Sequence, residues 1–132
     1  IAGERARSAT PIAEHQLMEW IKERFESAGL MTDHGPNVSA GANAANPHYE
    51  PHAGRDATLA PGDVVLLDLW GGVSRRTVFA DQTWMGFAGS AVPDEVQRAW
   101  AATRDARDAV VAELARSYVT FDGRWLAPDS TK

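Results

Sequence analysis

The chain has 132 residues, 44% of them hydrophobic and 23% charged, and its 18 acidic against 13 basic residues leave a net charge of −5. That is enough chain for one ordinary domain, with no basic excess to neutralise nucleic-acid phosphates. It contains no cysteine, which excludes disulfides and thiolate metal sites and fits a reducing, cytoplasmic setting, and no apolar run reaches membrane-spanning length.

Thr10-Pro11 reads as a helix N-cap followed by proline at the first helical position. Leu17, Ile21, Phe25 and Ala28 then recur at helical spacing, and Gly29 suits the C-terminal cap. These signals predict a helix over residues 11–28. Residues 31–62 are rich in Gly, Pro, Asn and His, and one short strand is expected near Asn37–Ala40. So long an irregular connection is often functional. Pro61-Gly62 signals a turn. Strands are expected at 63–70 and 76–84, joined as a hairpin through Gly71-Gly72-Val73-Ser74-Arg75. Pro93 opens a second long helix. Val96, Trp100, Thr103, Val110, Leu114 and Tyr118 lie along one stripe of it, and Arg104, Asp105, Arg107 and Asp108 along its wet face. The last residues, FDGRWLAPDSTK, suit a small terminal hairpin or a loose tail. The order helix, loop, hairpin, helix predicts an α+β fold with an antiparallel sheet and helices on one face.

Two carboxylates stand out. Asp68 interrupts the apolar strand DVVLLDLW, and Asp81 interrupts VFADQTW. An unpaired carboxylate buried in a strand costs several kcal/mol on an order-of-magnitude scale. In a hairpin centred near Ser74 the two aspartates fall almost opposite each other, with Cβ atoms about 4.5–5.5 Å apart. Two bare carboxylates that close repel. A divalent cation between them reverses the sign of that interaction, because it prefers hard oxygen ligands. The plainer alternative is that Asp68 pairs with Arg75 or Arg76, or caps a bend, and that Asp81 begins a turn.

Of the four histidines, His15 is expected on the solvated side of the first helix and His34 in a turn before Gly35-Pro36. His48 and His52 lie in NPHYEPH, where prolines frame the segment, so the helical H-x-x-x-H zinc geometry does not apply. A loop histidine near paired carboxylates can hydrogen-bond a substrate or an intermediate. The sequence has no GxSxG, phosphate-binding loop or dinucleotide fingerprint.

The succession SAGANAANPHYEP, LAPGDVVLLDLWGG, VFADQTWMGF and TRDARDAVVAEL resembles the catalytic domain of the pita-bread metallopeptidases. That family includes methionine aminopeptidase, prolidase, Xaa-Pro aminopeptidase and creatinase. The likeness covers residues 10–115 and is greatest to the Xaa-Pro-aminopeptidase-like branch. It implies that Asp68 is the first metal-binding aspartate and Asp81 the second, which bridges two divalent ions of the Mn, Co, Zn or Fe class. It implies that His48 contacts substrate and steadies the tetrahedral intermediate. Thr83, two places after the second aspartate, would orient a carboxylate. His52 has no counterpart.

The family site also uses a His and two Glu from the second half of its domain. This chain has no His after His52. Glu113 lies in the second helix, and neither Asp122 nor Asp129 sits in a family-like motif. The resemblance therefore implies one half of a pita-bread domain over residues 1–118, with a divergent tail at 119–132. It also implies a peptide substrate, of the kind with Pro at its second position if the Xaa-Pro branch is the right one. Alone, the chain is expected to bind metal weakly and to turn over no peptide. It is expected to self-associate or to pair with the missing half, since half a sheet leaves an edge and an apolar face uncovered. Two other readings are a non-catalytic peptide- or protein-binding relative, and a creatinase-like or lyase-like enzyme acting on a small non-peptide substrate.

Overall fold

A computed structural model describes Glu4 and residues 10–117. The chain divides into two compact units, Ile1–Ala91 and Val92–Lys132. In chain order the described elements are helix α1 (Glu14–Ser27), strand β1 (Asn37–Ala40), a 3-10 turn (Gly41–Ala45), strands β2 (Val64–Gly71) and β3 (Ala80–Phe87), and helix α2 (Asp94–Ser117). The fold class is α+β with a three-stranded antiparallel sheet in the order β1-β2-β3.

Helix α1 starts three residues later than Thr10-Pro11 suggests. Its N-cap is Ala13, because residues 12–14 are held by the chain segment ahead of β2. Ala13 bridges Thr58, Leu59 N–H donates to Ile12 O at 2.9 Å, and Glu14 N–H donates to Ala57 O at 3.0 Å. The Gln16 side chain accepts the Ala13 N–H at 3.0 Å, as in one arm of a capping box. The other end stops as its glycine predicts. Gly29 has φ +71°, and Leu30 N–H donates to Phe25 O while Gly29 N–H donates to Glu26 O. Those two bonds are the Schellman pattern.

The apolar stripe of α1 packs on one face of the sheet. Leu17 and Ile21 form a core with Val38, Ala40, Leu59 and Val65, flanked by Phe25, Leu67 and Leu69. Side chains alternate along a strand, so Asp68 and Trp70 project from the face opposite Val65, Leu67 and Leu69.

The expected strand at Asn37–Ala40 has those bounds, and β2 is shifted by one residue from 63–70. Strand β3 begins later than expected, at Ala80 rather than residue 76, because Ser74–Thr77 closes its own turn. Thr77 Oγ1 donates to Ser74 O at 2.8 Å and Thr77 N–H donates to the same oxygen at 3.2 Å. At the far end of the hairpin Gly62, at φ +96°, turns the chain into β2, and Ala88 N–H donates to Asp63 O at 2.8 Å.

In the second unit, α2 begins just after Pro93, whose carbonyl accepts the Gln97 N–H at 2.9 Å. Arg104 pairs with Asp105 and Arg107 with Asp108 on its surface, and the Arg104 guanidinium lies 4.7 Å above the Trp100 ring. Trp100, Val110 and Leu114 of the expected stripe are exposed. Tyr118, Asp122, Asp129 and the expected terminal hairpin or tail at 119–132 lie outside the described residues. Among the described residues no helix is long and apolar enough to cross a membrane.

Candidate metal-binding face

The register of the sheet decides which side chains meet on the face that α1 leaves open. Asn37 of β1 pairs with Asp68 of β2, and Asp68 pairs with Thr83 of β3. Asn37, Asp68 and Thr83 thus form a row across three strands. The next pair on the same face, toward the turn, is Trp70 with Asp81. Asp68 and Asp81 share one face but are not directly opposed, contrary to the sequence expectation. They are diagonal neighbours, for which Cα atoms are roughly 7–8 Å apart. The hairpin is centred between Arg75 and Arg76 instead of near Ser74, and that shift moves Asp81 one pleat toward the turn.

Asp68 does not need a guanidinium partner. It is half-buried, not sealed in a core, and its Oδ1 accepts a hydrogen bond from Thr83 Oγ1 at 2.7 Å. Directly opposed residues are close enough for this contact, which leaves Oδ2 free. Asp81 is exposed. Asn37 Oδ1 accepts from Ser39 Oγ at 2.9 Å, while the Asn37 Nδ2 is buried with no partner. An unsatisfied buried donor costs about 1–3 kcal/mol, and an oxygen ligand on this row would satisfy it. The carboxylate oxygens of Asp68 and Asp81 are of the hard type that a divalent cation takes. Among the described residues no group of three or more His, Cys, Asp or Glu is gathered to hold a metal.

His48 lies on the turn after the 3-10 segment and is exposed. Its backbone N–H donates to Asn46 Oδ1 at 3.0 Å. The residue that fixes this loop is one the sequence reading did not single out. Glu14, in the first turn of α1, is 0% exposed. Its Oε1 accepts from Ala40 N–H at 2.6 Å and Asn43 Nδ2 at 3.1 Å. Its Oε2 accepts from Tyr49 O–H at 2.6 Å and Ala57 N–H at 2.8 Å. One carboxylate therefore ties the helix to the end of β1, the 3-10 turn, the residue after His48 and the approach to β2. Burial, then the hydrogen bond to Glu14 and the negative charges of Glu14 and Asp56, push the Tyr49 phenol up to about 12. An acidic residue in a helix's first turn usually signals only its dipole, and sequence spacing has no mark for a partner more than twenty residues away.

Two further histidines are better held than expected. His15 donates its backbone N–H to Asp56 Oδ2 at 2.8 Å, and its ring Nδ1 lies 2.6 Å from the same oxygen. Burial raises the Asp56 carboxyl, but the hydrogen bonds and charge of His15 outweigh it and hold Asp56 below the usual carboxylate value. His34 Nδ1 lies 2.7 Å from Asp33 Oδ1, and its ring stacks on Trp70 at 6.1 Å between centroids. His52 is exposed, 3.8 Å from Glu50.

A helix thus backs one face of an antiparallel sheet, and two aspartates stand diagonally on the other. Residues 2–123 match metallopeptidase family M24, and the chain belongs to that family. Members of this family generally depend on two metal ions and act on peptides. No curated protein matches the chain.

Proposed function

We propose that the chain carries the N-terminal metal-binding part of an Xaa-Pro-aminopeptidase-like peptide hydrolase. The observation that carries this reading is the coincidence of the M24 match with Asp68 and Asp81 on the open face of the sheet. Asp68 and Asp81 would hold two divalent ions of the Mn, Co, Zn or Fe class, which when bound supply an activated water for attack on a peptide carbonyl. Thr83 spends its proton on Asp68 Oδ1 and so aims Oδ2 outward. His48, on the loop that Glu14 clamps, donates a hydrogen bond to the substrate carbonyl or to the oxyanion that develops from it. The remaining ligands, a His and two Glu, would come from outside residues 1–118.

This division of the site predicts weak metal binding and no turnover by the 132-residue chain alone. The wholly exposed run from Ala80 to Gly86 along β3, with Trp84 61% and Met85 46% exposed, supports a complementary half or a second copy seated there. Titration calorimetry with Mn²⁺ should give a saturable, weak isotherm that Asp68→Asn and Asp81→Asn each abolish. An isotherm unchanged in both variants would remove the metal reading. Rapid hydrolysis of Xaa-Pro peptides by this chain with added Mn²⁺ would instead remove the incomplete-site reading.

A further inference from the structure

Beyond the aspartate pair, the open face continues into a cavity at the turn end of the hairpin, with a volume of about 260 Å³. Its walls are Met31, Trp70 and Phe79, and two opposite charges, Asp33 and Arg75, line it. Each wall is fixed independently. Met31 and Gly72 exchange both backbone hydrogen bonds, at 2.8 and 2.9 Å. The Trp70 indole Nε1–H donates to Asp33 Oδ1 at 3.0 Å, and the Trp70 and Phe79 rings meet at 5.4 Å between centroids. Phe79 lies so close over Gly72 that a Cβ there would come within 2.7 Å of its ring. The Ser74–Thr77 turn presents Arg75.

The charges are the informative part. Asp33 uses Oδ1 for both Trp70 and His34, and its side chain is 55% exposed. Arg75 and Asp33 line the same cavity without forming an ion pair with each other. Asp33 also stays ionised: burial raises its carboxyl, but the hydrogen bonds from His34 and Trp70 and the charge of His34 hold it below the usual range. A cavity offering one carboxylate oxygen, one guanidinium and aromatic walls is complementary to a small zwitterion with an apolar body. Its volume lies below the roughly 300–1,000 Å³ of drug-sized pockets. A dipeptide separates its terminal charges by about 7 Å when extended, whereas a single amino acid holds both on one carbon.

We infer that this cavity is a binding site for a free apolar α-amino acid, with Asp33 taking the ammonium, Arg75 the carboxylate, and Trp70 and Phe79 the side chain. Trp70 stands directly opposite Asp81, so the site adjoins Asp81 and lies one pleat from Asp68. On the metallopeptidase reading its occupant is the residue released by cleavage, but the binding itself needs no metal and stands without that reading.

The test is a metal-free titration of the whole chain followed by the Trp70 indole N–H resonance, assigned with Trp70→Phe. Leucine is expected to saturate with a Kd of about 1 mM. Leucinamide, which lacks the carboxylate, and N-acetylleucine, which lacks the ammonium, should each bind about tenfold more weakly. Arg75→Ala should lower leucine to the affinity of leucinamide, and Asp33→Asn, which keeps an acceptor for the indole, should lower it to that of N-acetylleucine. Equal binding of all three ligands, no saturation by leucine, or unchanged affinity in the two variants would overturn the assignment. Tighter binding of Leu-Pro than of leucine would overturn the single-amino-acid form of it. Because both variants alter exposed side chains, they should fold. A failed Mn²⁺ titration with a successful leucine titration would overturn the peptidase reading alone.

Discussion

Replacing Glu14 should be the most damaging single substitution in the α1–sheet unit. Its carboxylate is 0% exposed and accepts from two backbone amides, Ala40 and Ala57, as well as from Tyr49 and Asn43. Truncation to alanine strands donors that water reaches poorly, at about 1–3 kcal/mol each. Against that, the mutant no longer buries a charge, which returns several kcal/mol on the same scale. Four donors stranded together outweigh that return and leave a net loss of about 2–4 kcal/mol, a large part of the roughly 5–15 kcal/mol that holds a domain together. Glu14→Gln keeps one acceptor oxygen and turns an N–H₂ toward the donors, so it should lose about 2 kcal/mol. Urea denaturation followed by far-ultraviolet circular dichroism reads both, and Glu14→Gln remains measurable if Glu14→Ala does not fold. A loss below about 0.5 kcal/mol for either variant, the level of an ordinary surface change, would refute the role assigned to this carboxylate.

The Asp56 carboxyl is depressed in the folded state, so its contribution is complete above its unfolded value of about 3.9 and disappears as pH falls through the lower folded value. Asp56→Asn should therefore flatten the acid limb of a stability–pH curve, and an unchanged limb would contradict the His15–Asp56 pairing. Tyr49 has the opposite sign. Its folded phenol titrates at about 12 against an unfolded value of about 10, so stability should fall across that alkaline window, and Tyr49→Phe should remove the fall. Spectrophotometric titration should find one tyrosine ionising near 12, and Glu14→Gln should bring it back toward 10. Gly72→Ala should force the Phe79 ring aside, since the new Cβ would lie 2.7 Å from it, and should cost about 1–3 kcal/mol as overpacking. A melting temperature equal to the parent's would show that the ring yields freely.

Much of the fold was legible because local rules and tertiary packing agree. Leu17 and Ile21 at helical spacing became the buried face of α1, Gly29 supplied the left-handed turn that ends it, Asn37–Ala40 has its expected bounds, and β2 lies one residue from its expected place. The family was legible for a related reason: its motifs are contiguous runs that carry aspartates into apolar strands, an expensive pattern unless the site has a use for it. Where local signals competed with distant partners, the local signals lost. Thr10-Pro11 has sound capping chemistry, yet residues 12–14 pair with 57–59 and the helix waits for Ala13.

The residues that meet were settled only in three dimensions. A two-residue shift of register separates Asp68 facing Asp81 from Asp68 facing Thr83, and sequence patterns constrain the face of a strand far more tightly than the partner across it. Glu14 looks in sequence like a helix-dipole residue. It became the anchor of the His48 loop because residues 40, 43, 49 and 57 fold around it. The cavity between Asp33 and Arg75 joins two segments more than forty positions apart through the Met31–Gly72 bridge. Side-chain periodicity is a property of neighbours along the chain, and so the sequence by itself determined the elements and their family. Hydrogen-bond partners are chosen across space, and only the tertiary structure decided them.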